Sequence, residues 1–118
     1  MEPNEEKQTL NLLELKPRRK LDWEPQPGDL VTLLVPRFRH PFVVRWIVPI
    51  LPASRYVRVH LDPMGSLVWN LCDGNTAVLE MGEKAATKFG GDVDTWYDRI
   101  GRFLKKLERE RFLEIPRP

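Results

Sequence analysis

Between His60 and Met81 the chain reads HLDPMGSLVWNLCDGNTAVLEM, which places a histidine, a serine, a cysteine and the acids Asp62, Asp73 and Glu80 close together. A catalytic nucleophile needs a base within hydrogen-bond reach and a further group to orient that base. Ser66 is near His60 and Asp62 in sequence but lacks the Gly-x-Ser-x-Gly turn that exposes a nucleophilic serine. At a strand-to-helix junction, Ser and Asp more commonly cap the helix. Cys72 shares one helix side with Leu67, Val68 and Leu71, the setting of a small buried thiol. One cysteine and two histidines, His40 and His60, fall short of the ligand set of a zinc site. Asp92 with Asp94, and Glu80 with Glu83, suit helix ends and solvated faces, and FGGDVD (89–94) would present acids to a phosphate. The expectation is a protein that is not an enzyme and has no catalytic residue, metal or cofactor.

The surrounding elements follow from periodicity and end signals. LDWEP (21–25) and LVTLLV (30–35) flank the turn QPGD (26–29) and predict a hairpin, because Pro presets φ and Gly permits the reversal. YVRVHL (56–61) alternates, with Tyr56, Arg58 and His60 on one side and Val57, Val59 and Leu61 on the other, predicting a strand with one wet and one buried face. Residues 37–55 are apolar but broken by Pro41, Pro49 and Pro52. They read as an irregular insertion whose Phe42, Trp46 and Ile50 either cover the core or form a patch for a partner.

From Asp62 the chain turns helical. Asp62 caps a first helix over about residues 63–72, with Pro63 at its first position and Gly74 beyond its end. Thr76 is expected to cap a second helix carrying Val78, Met81, Ala85 and Phe89, which Gly90-Gly91 ends. Asp92 or Asp94 opens a third helix with the apolar stripe Val93, Trp96, Tyr97, Ile100, Phe103, Leu104 and Leu107. RFLEI (111–115) closes as a short extended piece.

At 118 residues, 42% hydrophobic and 31% charged, the chain reads as one folded domain: an extension at 1–20, strands over 21–61 with the insertion at 37–55, and helices over 62–118. Net charge is +2, but residues 30–61 hold no acid and five arginines, Arg37, Arg39, Arg45, Arg55 and Arg58. Such a segment attracts anions, peptide or nucleic acid alike. A single cysteine, the acidic polar start MEPNEEKQ and the lack of an apolar run of about 20 residues point to a cytoplasmic protein outside the membrane.

Residues 57–113 resemble the PqqD family. The likeness rests on a strand ending in the Leu61-Asp62 step, the helix end WNLCDG (69–74), a second helix of Thr-Val-x-Glu-Ile type, and FLKKL (103–107) near the end of the third. The chain departs from the pattern at Ala77-Val78-Leu79-Glu80-Met81, which lacks a second acid, and in the long proline-rich segment. The resemblance implies an α+β, winged-helix-like fold, an N-terminal three-stranded antiparallel sheet followed by a three-helix bundle. It also implies a non-enzymatic chaperone of the RiPP recognition element type. Such a domain binds the leader of a ribosomal precursor peptide by strand addition and presents it to a modifying enzyme, often a radical-SAM maturase. Carried over by position, the peptide-binding residues are Val57, Arg58, Val59 and His60 on the strand edge and Arg99, Arg102, Phe103 and Lys106 on the third helix.

Two other classes compete with this reading. A winged-helix DNA-binding regulator would have to tolerate Asp98, Glu108 and Glu110 beside Arg99, Arg102 and Arg109 on its recognition helix, and phosphate repulsion argues against it. A structural subunit would dock an enzyme through residues 37–55. The precursor, the enzyme and any pairing with a second copy are left open by the sequence.

Overall fold

In the computed structural model, which describes residues 12–36 and 56–117, the elements in chain order are β1 (Arg18–Arg19), β2 (Trp23–Gln26), β3 (Leu30–Pro36), β4 (Tyr56–His60), α1 (Pro63–Leu71), α2 (Val78–Phe89), α3 (Val93–Arg109) and β5 (Leu113–Glu114). The fold is α+β, with a three-stranded antiparallel sheet in the order β2-β3-β4 followed by three helices, as expected. The insertion at 37–55, with Phe42, Trp46 and Ile50, lies outside the described residues.

The hairpin forms where the turn signal stands. Pro27–Asp29 makes a short 3-10 turn in which Gly28 takes φ 78°, a left-handed value that a side chain would resist. Trp23 then faces Leu33 and Gln26 faces Leu30 across the pair. On the other side of β3, Leu33 faces Val59 and Val35 faces Val57. Val31 and Leu33 point into the core, where they meet Val68 and Trp69 of α1, Met81 and Ala85 of α2, and Ile100 and Leu104 of α3.

One buried hydroxyl joins sheet to helix. Ser66 Oγ accepts from the backbone N–H of Val31 at 3.0 Å and donates to the carbonyl of Leu61 at 3.3 Å. The Asp62 carboxylate caps α1 as expected, accepting from Gly65 N at 2.7 Å, with Pro63 at the first helical position. Arg19 finishes the other end of α1. Its guanidinium donates to the carbonyls of Trp69 and Asn70, each at 3.0 Å, where the macrodipole favours a cation, and lies 4.4 Å over the Trp23 ring.

The cap of α2 differs from expectation. Thr76 does not cap it; Ala77 occupies the N-cap position and makes no side-chain bond. Asp73 takes the local donors instead, accepting from Asn75 N at 2.8 Å, Thr76 N at 2.9 Å and the Thr76 hydroxyl at 3.1 Å. These bonds, the Asn75 N–H foremost, hold its carboxyl below the usual range. The first amide of α2, Val78 N, donates to Leu15 O at 3.0 Å, so a distant segment supplies the acceptor. At α3, Asp92 sits at the N-cap without a side-chain bond.

Residues 12–20 had no place assigned by periodicity, yet they close the core. Leu15 and Pro17 are buried, and β1 pairs antiparallel with β5, which brings Leu113 and Ile115 in beside them. Helices α2 and α3 approach closely because Gly82 has no side chain: a Cβ there would stand 2.2 Å from Cε1 of Tyr97.

Replacing Ser66 with Ala strands the buried Val31 N–H, and a buried donor left without a partner costs about 1–3 kcal/mol. Urea unfolding of S66A should show a lower midpoint with an unchanged slope. An unaltered midpoint would refute the role given to this hydroxyl.

Candidate functional site

Among the described residues, strand β4 pairs with β3 alone and no strand lies on its other side. Leu61 N donates to Val31 O at 3.0 Å, which sets the phase of the ladder. In an antiparallel pair successive residues turn their backbone groups alternately inward and outward. The N–H and C=O groups of Val57 and Val59 therefore meet β3, while those of Arg58 and His60 point away from the sheet. An outward row of donors and acceptors is a template for one more strand.

The side chains of β4 depart from the expected wet and buried faces, because all five residues are exposed, Val57 at 42% and Val59 at 37%. Val57 and Val59 do point to the helix side, as their partners Val35 and Leu33 do. Being at the sheet margin, however, they lie outside the cover that the helices give β3. Arg58 and His60 occupy the opposite face. There Arg58 forms an ion pair with Glu24, and His60 Nδ1 lies 2.8 Å from the Thr32 hydroxyl.

Just past the end of β4 a cleft of about 660 Å³ opens, lined by Asp62, Pro63 and Met64 at the start of α1, Phe89 at the end of α2, and Trp96, Arg99 and Arg102 of α3. Its aromatic wall is built locally. The Phe89 and Trp96 rings are 5.5 Å apart, and Trp96 Nε1 donates to Gly90 O at 2.7 Å across the corner between α2 and α3. Gly90 and Gly91 turn that corner with φ of 83° and 91°. The Arg99 guanidinium lies 5.2 Å from the Trp96 ring centre, and Arg102 pairs with Asp98 at 3.3 Å.

The structure brings Arg99 and Arg102 together in this cleft, whose lining starts at Asp62, two residues past the end of β4, and includes none of Val57 to His60. Phe103 is half-buried behind it, against Gly65, where an added Cβ would come within 3.2 Å of the Phe103 ring. Lys106 lies one turn further along α3, exposed and outside the cleft lining. Periodicity missed Met64, Phe89 and Trp96 as wall residues, since an apolar residue at helical spacing reads as core. The available signal was Phe89-Gly90-Gly91, a large apolar group placed where the helix must stop.

The family model described as Coenzyme PQQ synthesis protein D (PqqD) matches residues 50–113, more than half of the chain. No curated protein and no solved structure matches it.

The nucleophile candidates of the sequence all have structural positions. Ser66 is committed to Val31 and Leu61, and Cys72 is wholly buried, its thiol pushed up to about 12, chiefly by burial. Among the described residues no group of three or more His, Cys, Asp or Glu side chains could hold a metal ion. At pH 8 the native thiol should resist a disulfide reagent such as DTNB and react in full once guanidinium unfolds the chain. Rapid stoichiometric labelling of the native protein would contradict the burial of Cys72.

Proposed function

This chain belongs to the PqqD family, a family of precursor-peptide-binding chaperones, and from that premise we propose that it binds the leader of a ribosomal precursor peptide as an added strand on β4. The observation that carries this reading is the outer margin of β4, where the N–H and C=O groups of Arg58 and His60 point away from β3, on a strand that ends two residues before the start of a cleft walled by aromatic and basic side chains. An extended guest satisfies those groups, while every second guest side chain turns towards the helices.

In this arrangement Val57 and Val59 form an apolar floor on the helix side. Trp96, Phe89 and Met64 receive an apolar side chain of the guest, with Phe103 backing the wall. Arg99 and Arg102 flank this wall, and Lys106 follows one turn further along α3. Arg58 and His60 contribute through their backbone, because their side chains lie on the other sheet face. The chaperone then presents the held leader to a modifying enzyme, such as a radical-SAM maturase, in the cytoplasm. Among the described residues no helix is long and apolar enough to cross a membrane.

Backbone and side-chain roles at position 58 separate cleanly. Arg58→Pro removes an outward donor yet is compatible with an edge strand, whereas Arg58→Ala keeps the donor and loses only an exposed ion pair. Peptides selected from a random 16-residue display library on the immobilised parent chain serve as probes. Fluorescence anisotropy should show at least a roughly tenfold loss of affinity for R58P, about the worth of one lost hydrogen bond, and near-parental affinity for R58A. Peptide binding should also slow amide exchange at Arg58 and His60. Equal binding by parent and R58P would defeat the strand-addition reading.

A further inference from the structure

The basic side chains of α3 do not stop at the cleft. Arg99, Arg102, Lys106 and Arg109 recur at intervals of three, four and three residues, and all are exposed. At 3.6 residues per turn they fall within about 80° of arc and extend over about 15 Å. Trp96 and Phe103 lie between this row and the buried stripe of Ile100, Leu104 and Leu107, so apolar wall and basic row run side by side.

Among the described residues, the acids nearby are few and mostly engaged. Asp98 flanks the row and pairs with Arg102. Asp62 lines the cleft, but its carboxylate accepts from Gly65 N at 2.7 Å. Glu108 falls on another part of the helix and is held by Arg117 at 2.8 Å, which keeps its carboxyl below the usual range. Glu110 follows the row at the end of the helix.

We propose that this face of α3 is a cationic rail that selects acidic peptides, so that the guest carries an aromatic or aliphatic anchor for the Met64–Phe89–Trp96 wall and, further along, Asp or Glu residues that meet Lys106 and Arg109. The inference rests on the strand-addition reading and adds the charge class of the guest. Charge complementarity is its basis: a linear row of exposed cations beginning at an apolar cleft matches an extended chain with an apolar side chain followed by carboxylates.

The test uses the full chain and the same random 16-residue display library, with K106E/R109E as the comparison. Both positions are exposed, and thermal unfolding followed by circular dichroism checks that the variant folds. Sequencing of peptides retained by the parent should show at least tenfold enrichment of those carrying two or more acids beyond an apolar anchor. The variant should lose that bias and favour Lys and Arg instead, while the apolar anchor persists in both pools. Raising the salt to 0.5 M should reduce the acidic bias without removing the anchor.

An apolar anchor with no charge bias, or a bias that K106E/R109E leaves unchanged, overturns the rail and leaves strand addition standing. No enrichment of any peptide overturns both. Binding of a mixed-sequence 20-base-pair duplex to the parent, abolished by K106E/R109E, overturns the rail by assigning the row to nucleic acid.

Discussion

The Ser66 hydroxyl stands where the sheet becomes the helical layer, and it settles the geometry of both. By accepting from Val31 N and donating to Leu61 O it ties the central strand to the first turn of α1 and holds the exit of β4 against the same point. A backbone amide buried away from water must find an acceptor, so this bond constrains where α1 can lie. Met64 and Pro63, which begin that helix, consequently open onto the cleft. A residue that looks like a nucleophile beside a histidine and an aspartate is the joint that sets the mouth of the site.

Around that joint β2 and β4 are the edge strands of the sheet among the described residues, and β4 is the edge that leads into α1. Exposed strand edges are a hazard, which proteins blunt with short strands and charged residues, and β4 has both features: five residues with Arg58 at the centre. Its helix-side valines, Val57 and Val59, are exposed. The cleft that starts at Asp62 joins an apolar wall to two arginines, one over the Trp96 ring and one paired with Asp98. That combination suits reversible capture of an extended chain, since backbone bonds contribute affinity and side-chain pockets choose the sequence.

The two ends of the described chain pair with one another and complete the core. Pairing of β1 with β5 brings Leu15, Pro17, Leu113 and Ile115 into the core, and Leu15 O completes the start of α2. Arg18 and Lys20 share Glu114 on the outside of this pair, and Arg117 holds Glu108. The exposed ion pairs contribute little; the buried apolar residues beneath them carry the stabilisation.

What the sequence by itself determined is everything set by near neighbours. The Pro27-Gly28 turn, the Asp62-Pro63 helix start, the Gly90-Gly91 corner, the three helical stripes and the buried character of Cys72 were all legible there, because each depends on a φ value, a cap or a period within a few residues. The family resemblance pointed to Val57 to His60 on the strand and to Arg99, Arg102, Phe103 and Lys106 on the helix as two separate groups. Only the tertiary structure decided that α1 begins between them, that Phe89 and Trp96 leave the core stripe to wall a cleft, and that Leu15 rather than Thr76 supplies the acceptor for α2. It also decided that β4 is exposed on both faces. These outcomes depend on which distant backbone groups and apolar surfaces meet first, and a local pattern of residue types carries no record of such long-range pairing.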